Sequence, residues 1–259
     1  HDYAVEAFAM ATVLEGGMTA LLFLWLRKKI PGITEPQVEF RENLLFRQSL
    51  PLVASGMVVA AMLKLDQLLL QALRPGADVG YYYAVVRLFE MAGVLIPSLV
   101  AVLLPDLARL RAVSEKAYAE KMALIYQRTY KLRLLAAVFG AGTAPWLIPL
   151  LFGANYAPAV PIFVAYAFMF PSLVVGSVRA MEFVISNKNM NHLLVSLLLL
   201  PLQLGLCAVG IHWFGPTGLA AAMAVVGFIS TTVFSLILPP LRESGVLQRK
   251  ALSGLLRWG

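Results

Sequence analysis

Cysteine, histidine and charged residues are all scarce in this sequence. It has one cysteine, Cys207, and three scattered histidines among 259 residues, which excludes a disulfide framework and leaves no recognisable metal-ligand spacing. Charged residues make up 14% of the chain and hydrophobic residues 60%, against about 25% and 45–50% in soluble domains. This composition excludes a soluble enzyme and a disordered chain, and we expect no metal ion and no cofactor.

Long apolar runs occupy most of the sequence. A helix that crosses a bilayer needs about 20 apolar residues. The runs here are continuous and do not alternate, which favours helices over a β-barrel. We therefore predict an all-α polytopic membrane protein with about seven transmembrane helices. The predicted spans are residues 3–26, 44–73, 81–104 (closed by Pro105), 134–152, 158–186, 192–213 and 218–238.

Lysine and arginine are concentrated in alternate connections between these spans. Seventeen of the 21 lie in the first, third and fifth connections and in the tail, 241–259, whereas the other three connections contain only Arg74. Basic residues collect on the cytoplasmic side, so we predict a cytoplasmic C-terminus. The same rule accounts for the net charge of +7, and we therefore expect no nucleic-acid partner. The long connection 106–133 and the tail are predicted to be amphipathic helices, which either only link spans or bind lipid headgroups.

Several charged residues fall inside the predicted spans. The bases are Lys64, Arg87 and Arg179, and the acids are Glu6, Glu15, Asp66, Glu90 and Glu182. A charge at this depth costs a few kcal/mol, so such side chains usually face a cavity or a partner. Two bases have an acid three residues later, Arg87 with Glu90 and Arg179 with Glu182, which places each pair on one helix face.

Depth in the membrane predicts which of these charges approach one another. Counted from the outer ends of their helices, Lys64 matches Glu90 and Asp66 matches Arg87. Lys64 and Asp66 are two residues apart and should point to different faces. The pairs either fix helix packing or line a functional cavity, and we favour the cavity for Lys64 and Asp66. Glu15 is equally well interpreted as a proton site or as a hydrogen-bonded structural acid.

The stretch LDQLLLQALRPGADVGYYYAVVRLFE, residues 65–90, resembles flippases that move lipid-linked oligosaccharides in bacterial polysaccharide biosynthesis. Their superfamily also contains multidrug and toxin extruders. The pattern has an acid in the first helix of the C-terminal lobe, a short polar turn, Val-Gly-Tyr, and a helix that bears Arg or Glu. The matching residues are Asp66, Val79-Gly80-Tyr81, Arg87 and Glu90, with further similar stretches at 104–105, 151–159 and 214–220. The apolar run 197–202 departs from the pattern, which has a polar Asn there.

The resemblance implies a two-lobed helical transporter of the bacterial cytoplasmic (inner) membrane that works by alternating access. Residues 30–240 are then the C-terminal six-helix lobe, and residues 1–29 are the last helix of an N-terminal lobe that we expect to precede this sequence. Residues 241–259 are a cytoplasmic tail. The implied substrate is an oligosaccharide on undecaprenyl diphosphate, and the implied partners are membrane lipid, the N-terminal lobe and polysaccharide assembly proteins.

The resemblance also assigns roles to the charges inside the spans. The expected substrate-binding residues are Lys64, Arg87 and Arg179, and the expected ion-coupling residues or charge partners are Asp66, Glu90, Glu15 and Glu182. A drug extruder of the same superfamily, with Asp66 as its cation or proton site, is the alternative. A membrane-embedded polysaccharide polymerase or ligase is less favoured, because such chemistry usually needs a sizeable outer loop. We therefore expect that this protein is not an enzyme.

Overall fold

The computed structural model describes residues 42–238 and 241–256, together with seven helical positions between residues 14 and 26. For residues 42–49, 236 and 253–256 it describes the backbone alone. The chain divides into two units, His1–Leu45 and Phe46–Gly259. The fold described below is that of the second unit. The predicted site residue Glu15 and most of the first predicted span lie outside the described residues.

Every regular element in the described part of the chain is helical. The helices are α1 (Glu42–Leu73), α2 (Ala77–Gly93), α3 (Leu95–Val113), α4 (Glu115–Phe152), a short 3₁₀ turn (Ala154–Tyr156), α5 (Ala159–Ile185), α6 (Asn189–Phe228), a π-helical segment (Ile229–Val233), α7 (Phe234–Ile237) and α8 (Arg242–Leu256). Five stretches among these described residues are long and apolar enough to cross a membrane. The prediction of an all-α polytopic membrane protein is confirmed.

Helix α6 contains the predicted span 192–213 and the first half of the predicted span 218–238, joined by a sharp bend at Gly215. The second span continues through the π-helical segment into α7. The backbone there has φ 62° and ψ −142°, a conformation that glycine adopts without steric cost. The bend folds α6 into a hairpin, in which Gly210 of the first arm touches Gly218 of the second. Because neither residue has a side chain, the two backbones approach closely. The predicted connection between these spans is therefore this tight turn.

Replacing Gly210 by alanine is expected to destabilise the hairpin. A β-carbon on Gly210 would lie 2.8 Å from the carbonyl carbon of Gly218, and overpacking of this kind costs about 1–3 kcal/mol. Gly205→Ala is the matched control, because a β-carbon at Gly205 meets nothing within 4 Å. Thermal unfolding in detergent should show a lowered midpoint for Gly210→Ala and an unlowered one for the control. Equal midpoints would mean that the arms do not touch at Gly210.

The predicted span 81–104 is two helices. Pro97 has no N–H to donate to the carbonyl of Gly93, and α2 gives way to α3 at Val94. The expectation that Pro105 closes this span is wrong, since α3 continues to Val113. Buried Leu107 lies on the extension and packs against residues of α4 and α5, and such packing maintains a helix across one missing hydrogen bond.

The connection 106–133 is helical, as predicted, but it is not a separate helix. It consists of the end of α3 and the first half of α4, which meet at Ser114. The Ser114 hydroxyl accepts a hydrogen bond from the Ala117 N–H at 3.3 Å, and Glu115 follows in the first turn. A serine cap and an early acid start a new helix. Helix α4 then runs from this cap to Phe152 without interruption.

The tail forms the amphipathic helix α8 that its sequence predicts. The buried side chains of Ser244, Leu247, Gln248 and Ala251 follow the three- and four-residue spacing of one helix face. This face packs against α4 and α7. The tail is therefore a packed part of the second unit.

Contacts between loops confirm which connections share an end of the bundle. At one end, Arg74 donates to the carbonyl of His212 at 3.4 Å, and the ring of Tyr81 meets that of Tyr156 at 5.4 Å. These contacts join the three connections that are poor in lysine and arginine. At the other end, Arg111 bonds Ser186 and Lys188 pairs with Glu243 at 2.6 Å. Among the described residues, the third connection, the turn that contains Lys188 and the tail therefore lie together at this end.

Candidate functional site

The inner face of α2 determines where its charges point. Tyr82, Val85 and Val86 are buried, and the Phe89 ring packs on Phe163 of α5 at 4.9 Å between centroids. These positions repeat every three or four residues, so they form one apolar face. Arg87 lies off that face, and its side chain is 77% exposed.

Helix α1 carries one charge outward and one inward. The Lys64 side chain is 58% exposed, whereas Asp66 is fully buried. Residues two apart on a helix point in different directions, as the sequence predicted for this pair. Gln203 of α6 holds α1 at this level by donating to the carbonyl of Met62 at 2.7 Å.

Lys64, Arg87 and Glu90 form an exposed cluster that we call the cation cluster. The Glu90 carboxylate accepts from the Lys64 ammonium at 2.6 Å and from the Arg87 guanidinium at 3.0 Å. The predicted approach of Lys64 to Glu90 is confirmed, and so is the pairing of Arg87 with Glu90. Two cations sharing one carboxylate leave a net charge of +1 and several unused N–H donors.

The cation cluster lies deep within its helices. Lys64 is nine residues before Leu73, the end of α1, and Arg87 is ten after Ala77, the start of α2. At about 1.5 Å per residue both are roughly 14–15 Å from that end, which is about half the thickness of the hydrocarbon core. Charges at this depth avoid lipid. The surface that carries the cation cluster therefore needs a polar neighbour.

Asp66 lies behind the cation cluster, inside the bundle. Its Oδ2 accepts from the Tyr82 hydroxyl at 2.6 Å, and its Oδ1 is buried without a hydrogen-bond partner among the described residues. The predicted match of Asp66 with Arg87 does not produce an ion pair, since Asp66 bonds Tyr82 and Arg87 bonds Glu90. An acid with one unused oxygen in an apolar bundle is suited to hold a proton or a small cation.

Tyr82 is a site residue that sequence reasoning missed. The run Tyr81-Tyr82-Tyr83 is typical of an aromatic belt at the membrane surface. The signal that distinguishes Tyr82 is its spacing, because it lies three residues before Val85 and seven before Phe89 on the buried face of α2.

Arg179 and Glu182 of α5 are buried and bond different neighbours. Arg179 is 5% exposed and donates to the carbonyl and, at 3.0 Å, to the hydroxyl of Ser230. It also donates to the Ser235 hydroxyl at 3.2 Å. Glu182 accepts from the Tyr126 hydroxyl at 2.8 Å. The structure therefore places these two predicted site residues apart from the cation cluster, within the packing of the bundle.

The π-helical segment explains why Arg179 finds a carbonyl to bond. A π turn interrupts the regular pattern of backbone hydrogen bonds, and Ser230 lies within it. A second arginine, Arg133 of α4, donates to Ser172 at 3.0 Å and to Thr232 of the same segment at 3.4 Å. Both arginines thereby tie the segment to its neighbours.

No group of three or more histidine, cysteine, aspartate or glutamate side chains suited to a metal ion occurs among the described residues. On α1 and α2, the fold brings together the charged residues of the cation cluster and, behind it, the Asp66–Tyr82 pair.

Comparison with known proteins identifies the family of the chain. Residues 1–161, more than half of the sequence, match the family described as polysaccharide biosynthesis protein. The match includes α1 to α4 and all residues of the cation cluster. Searches of curated proteins and of solved structures found no significant match. The chain therefore belongs to the polysaccharide biosynthesis protein family and is a multi-pass membrane protein.

Proposed function

We propose that this protein is a flippase that moves oligosaccharides linked to undecaprenyl diphosphate across the bacterial cytoplasmic membrane. Residues 30–240 act as the C-terminal lobe of a two-lobed transporter, and residues 1–29 supply the last helix of the N-terminal lobe. The lobes alternate between inward-open and outward-open states, and the protein hydrolyses no ATP itself. The ends rich in lysine and arginine, the C-terminus among them, face the cytoplasm.

The exposed cation cluster is the observation that carries this proposal. Lys64 and Arg87 are 58% and 77% exposed at a depth where lipid contact is costly. A wet cavity beside α1 and α2 removes that cost. A cavity of this kind is what a charged, sugar-bearing headgroup needs in order to cross hydrocarbon.

Diphosphate is the part of the substrate that the cation cluster is suited to bind. Ammonium and guanidinium groups form short, strong hydrogen bonds with phosphate oxygens. Glu90 holds both cations within 3.0 Å of one carboxylate, so they are already close enough to bind one diphosphate together. The Arg179 guanidinium is occupied by Ser230 and Ser235, and we therefore assign diphosphate binding to Lys64 and Arg87 alone.

The Asp66–Tyr82 pair is the element that we assign to coupling. The free Oδ1 of Asp66 takes up a proton or a small cation, and the Tyr82 hydroxyl at 2.6 Å fixes the carboxylate. This pair also favours a second candidate function, a cation- or proton-coupled drug extruder of the same superfamily. The two functions differ in the cargo bound at the cation cluster, since cationic drugs are repelled by Lys64 and Arg87.

A membrane-embedded polymerase or ligase is less well supported. The connections at the end that contains Arg74 are short where the structure describes them, with two residues after Arg74 before α2 and six between α4 and α5. Loops of this size provide little room for acid–base groups outside the membrane.

Inactivation of the gene in its own host tests the function. We expect surface polysaccharide to be lost and lipid-linked oligosaccharide to accumulate in the inner leaflet, since synthesis continues while transfer stops. Leaflet position can be measured by the access of a membrane-impermeant sugar-labelling reagent to spheroplasts and to inverted vesicles, and a plasmid copy is the control. Normal polysaccharide together with new sensitivity to cationic drugs would instead identify an extruder. Precursor that accumulates in the outer leaflet would indicate a polymerase or ligase.

A further inference from the structure

A second polar site lies at the end of the bundle where the basic connections meet. A cleft of about 500 Å³ opens between the end of α3, the start of α4, the turn between α5 and α6, and the start of α8. The charged residues that line it are Arg111, Glu115, Glu182, Lys188, Arg242 and Glu243. This cleft is separate from the cation cluster, which lies on α1 and α2.

Hydrogen-bond donors converge on the wall of this cleft. The Arg111 guanidinium bonds the Ser186 hydroxyl and lies over the Tyr118 ring, 5.1 Å from its centroid. Tyr118 lines the cleft and is 4% exposed, and its buried hydroxyl has no hydrogen-bond partner among the described residues. A buried hydroxyl without a partner costs about 1–3 kcal/mol, and a ligand oxygen would remove that cost.

The charges of the cleft select among possible ligands. Lys188 and Glu243 neutralise each other at 2.6 Å, and Glu182 accepts from Tyr126. Arg111 and Arg242 have no carboxylate within ion-pair distance in the described part of the chain. Glu115 and Glu182 also line the cleft and offset the two arginines, so the lining as a whole carries no net charge. A ligand with one negative charge is therefore repelled less by these two carboxylates than a ligand with two or three.

We propose that the cleft binds the phosphodiester group of a membrane phospholipid. Arg111, Arg242 and the Tyr118 hydroxyl donate to its oxygens, and charge-assisted bonds from arginine suit phosphate geometry. The neighbouring surface is amphipathic, because α8 and the start of α4 each pair one buried face with an exposed face that carries charges of both signs. Such helices lie at the headgroup level of a bilayer. The site does not depend on which cargo the protein transports.

Binding can be measured by native mass spectrometry of the full chain in detergent, titrated with phosphatidylglycerol. We expect the Arg111→Gln/Arg242→Gln variant to bind this lipid about tenfold more weakly or worse. Tyr118→Phe, which removes only the unpaired hydroxyl, is expected to weaken binding a few-fold and still to fold. The control Arg109→Gln/Lys116→Gln removes two nearby positive charges that do not line the cleft, and it should bind within about twofold of the parent chain.

Three comparison ligands identify the source of the phosphate. Diacylglycerol, which has the same chains without phosphate, is expected not to compete, and millimolar inorganic phosphate is expected not to displace the lipid. Undecaprenyl diphosphate is expected to bind more weakly than phosphatidylglycerol at this site. The proposal is overturned if Tyr118→Phe and the arginine variant bind like the parent chain, or if any of the three ligands competes equally. Preference for the diphosphate lipid would overturn it while leaving the proposed transport function intact.

Discussion

Replacing Lys64 and Arg87 together by alanine is expected to abolish the surface polysaccharide that depends on this protein. Each hydrogen bond from a charged donor contributes about 1.5–3 kcal/mol, so the loss of both weakens diphosphate binding by roughly a hundredfold or more. The double variant also leaves Glu90, which now holds both cations, as an unpaired negative charge facing the substrate. Surface polysaccharide in a complemented null strain measures the effect.

The control for this experiment removes the same net charge elsewhere. Lys121 and Arg128 are exposed residues of α4 outside the cation cluster, and Lys121→Ala/Arg128→Ala should restore polysaccharide to the parental level. Membrane-fraction abundance of each variant shows that the protein is inserted. If the Lys64/Arg87 variant is abundant and supports normal polysaccharide, the cationic cavity does not exist. Loss in both double variants would mean that overall charge, and not the cation cluster, matters.

The sequence was sufficient to predict the properties that depend on helix geometry alone. Span positions follow from run length, and the grouping of connections follows from the distribution of basic residues. The approach of Lys64 to Glu90 follows from counting residues at a fixed rise per residue. The first two properties are read from the sequence directly, and the third requires only the depth of each residue along its own helix, so the rotation of the helices about their axes is not needed.

Depth alone did not determine every side-chain partner supplied by another helix. Depth alone matched Asp66 with Arg87, but the burial of Tyr82 places a hydroxyl 2.6 Å from Asp66, and the exposed face of α2 directs Arg87 to Glu90. The rotation of α2 about its axis decides between these partners. That rotation is determined by packing against α5, through Phe89 and its neighbours, and residue depth carries no information about it.

Helix interruptions were predictable only in part. Pro97 and Pro105 each lack the N–H of a regular backbone hydrogen bond, yet only Pro97 lies at a break between helices. The difference depends on what packs around the weakened turn, and buried Leu107 follows Pro105 closely. The π-helical segment had no signal at all in the sequence, because its widened turn is fitted to Arg179 and Arg133 from other helices.

Arg179 shows most clearly that the π-helical segment depends on side chains from other helices. Arg179→Ala is expected to destabilise the folded protein severely. The substitution removes the donor to the carbonyl and hydroxyl of Ser230 in the π-helical segment, and one of the two donors to the Ser235 hydroxyl. It also opens a cavity beside Glu182, whose carboxylate is buried. Removing one partner from a buried charged network costs about 3–5 kcal/mol. Thermal unfolding of the purified protein in detergent measures the loss.

The same variant distinguishes a substrate-binding role of Arg179 from a structural one. If Arg179 binds substrate, as the resemblance implies, the alanine variant should unfold near the parental temperature and lose only transport. If it holds the π-helical segment, the unfolding midpoint should fall by several degrees or more, and transport should fall with protein abundance. Arg128→Ala, an exposed arginine on α4, controls for the loss of charge. We expect the second result, because every hydrogen bond that Arg179 makes in the described part of the chain is to Ser230 or Ser235, and none of these groups can be released to substrate without opening the bundle.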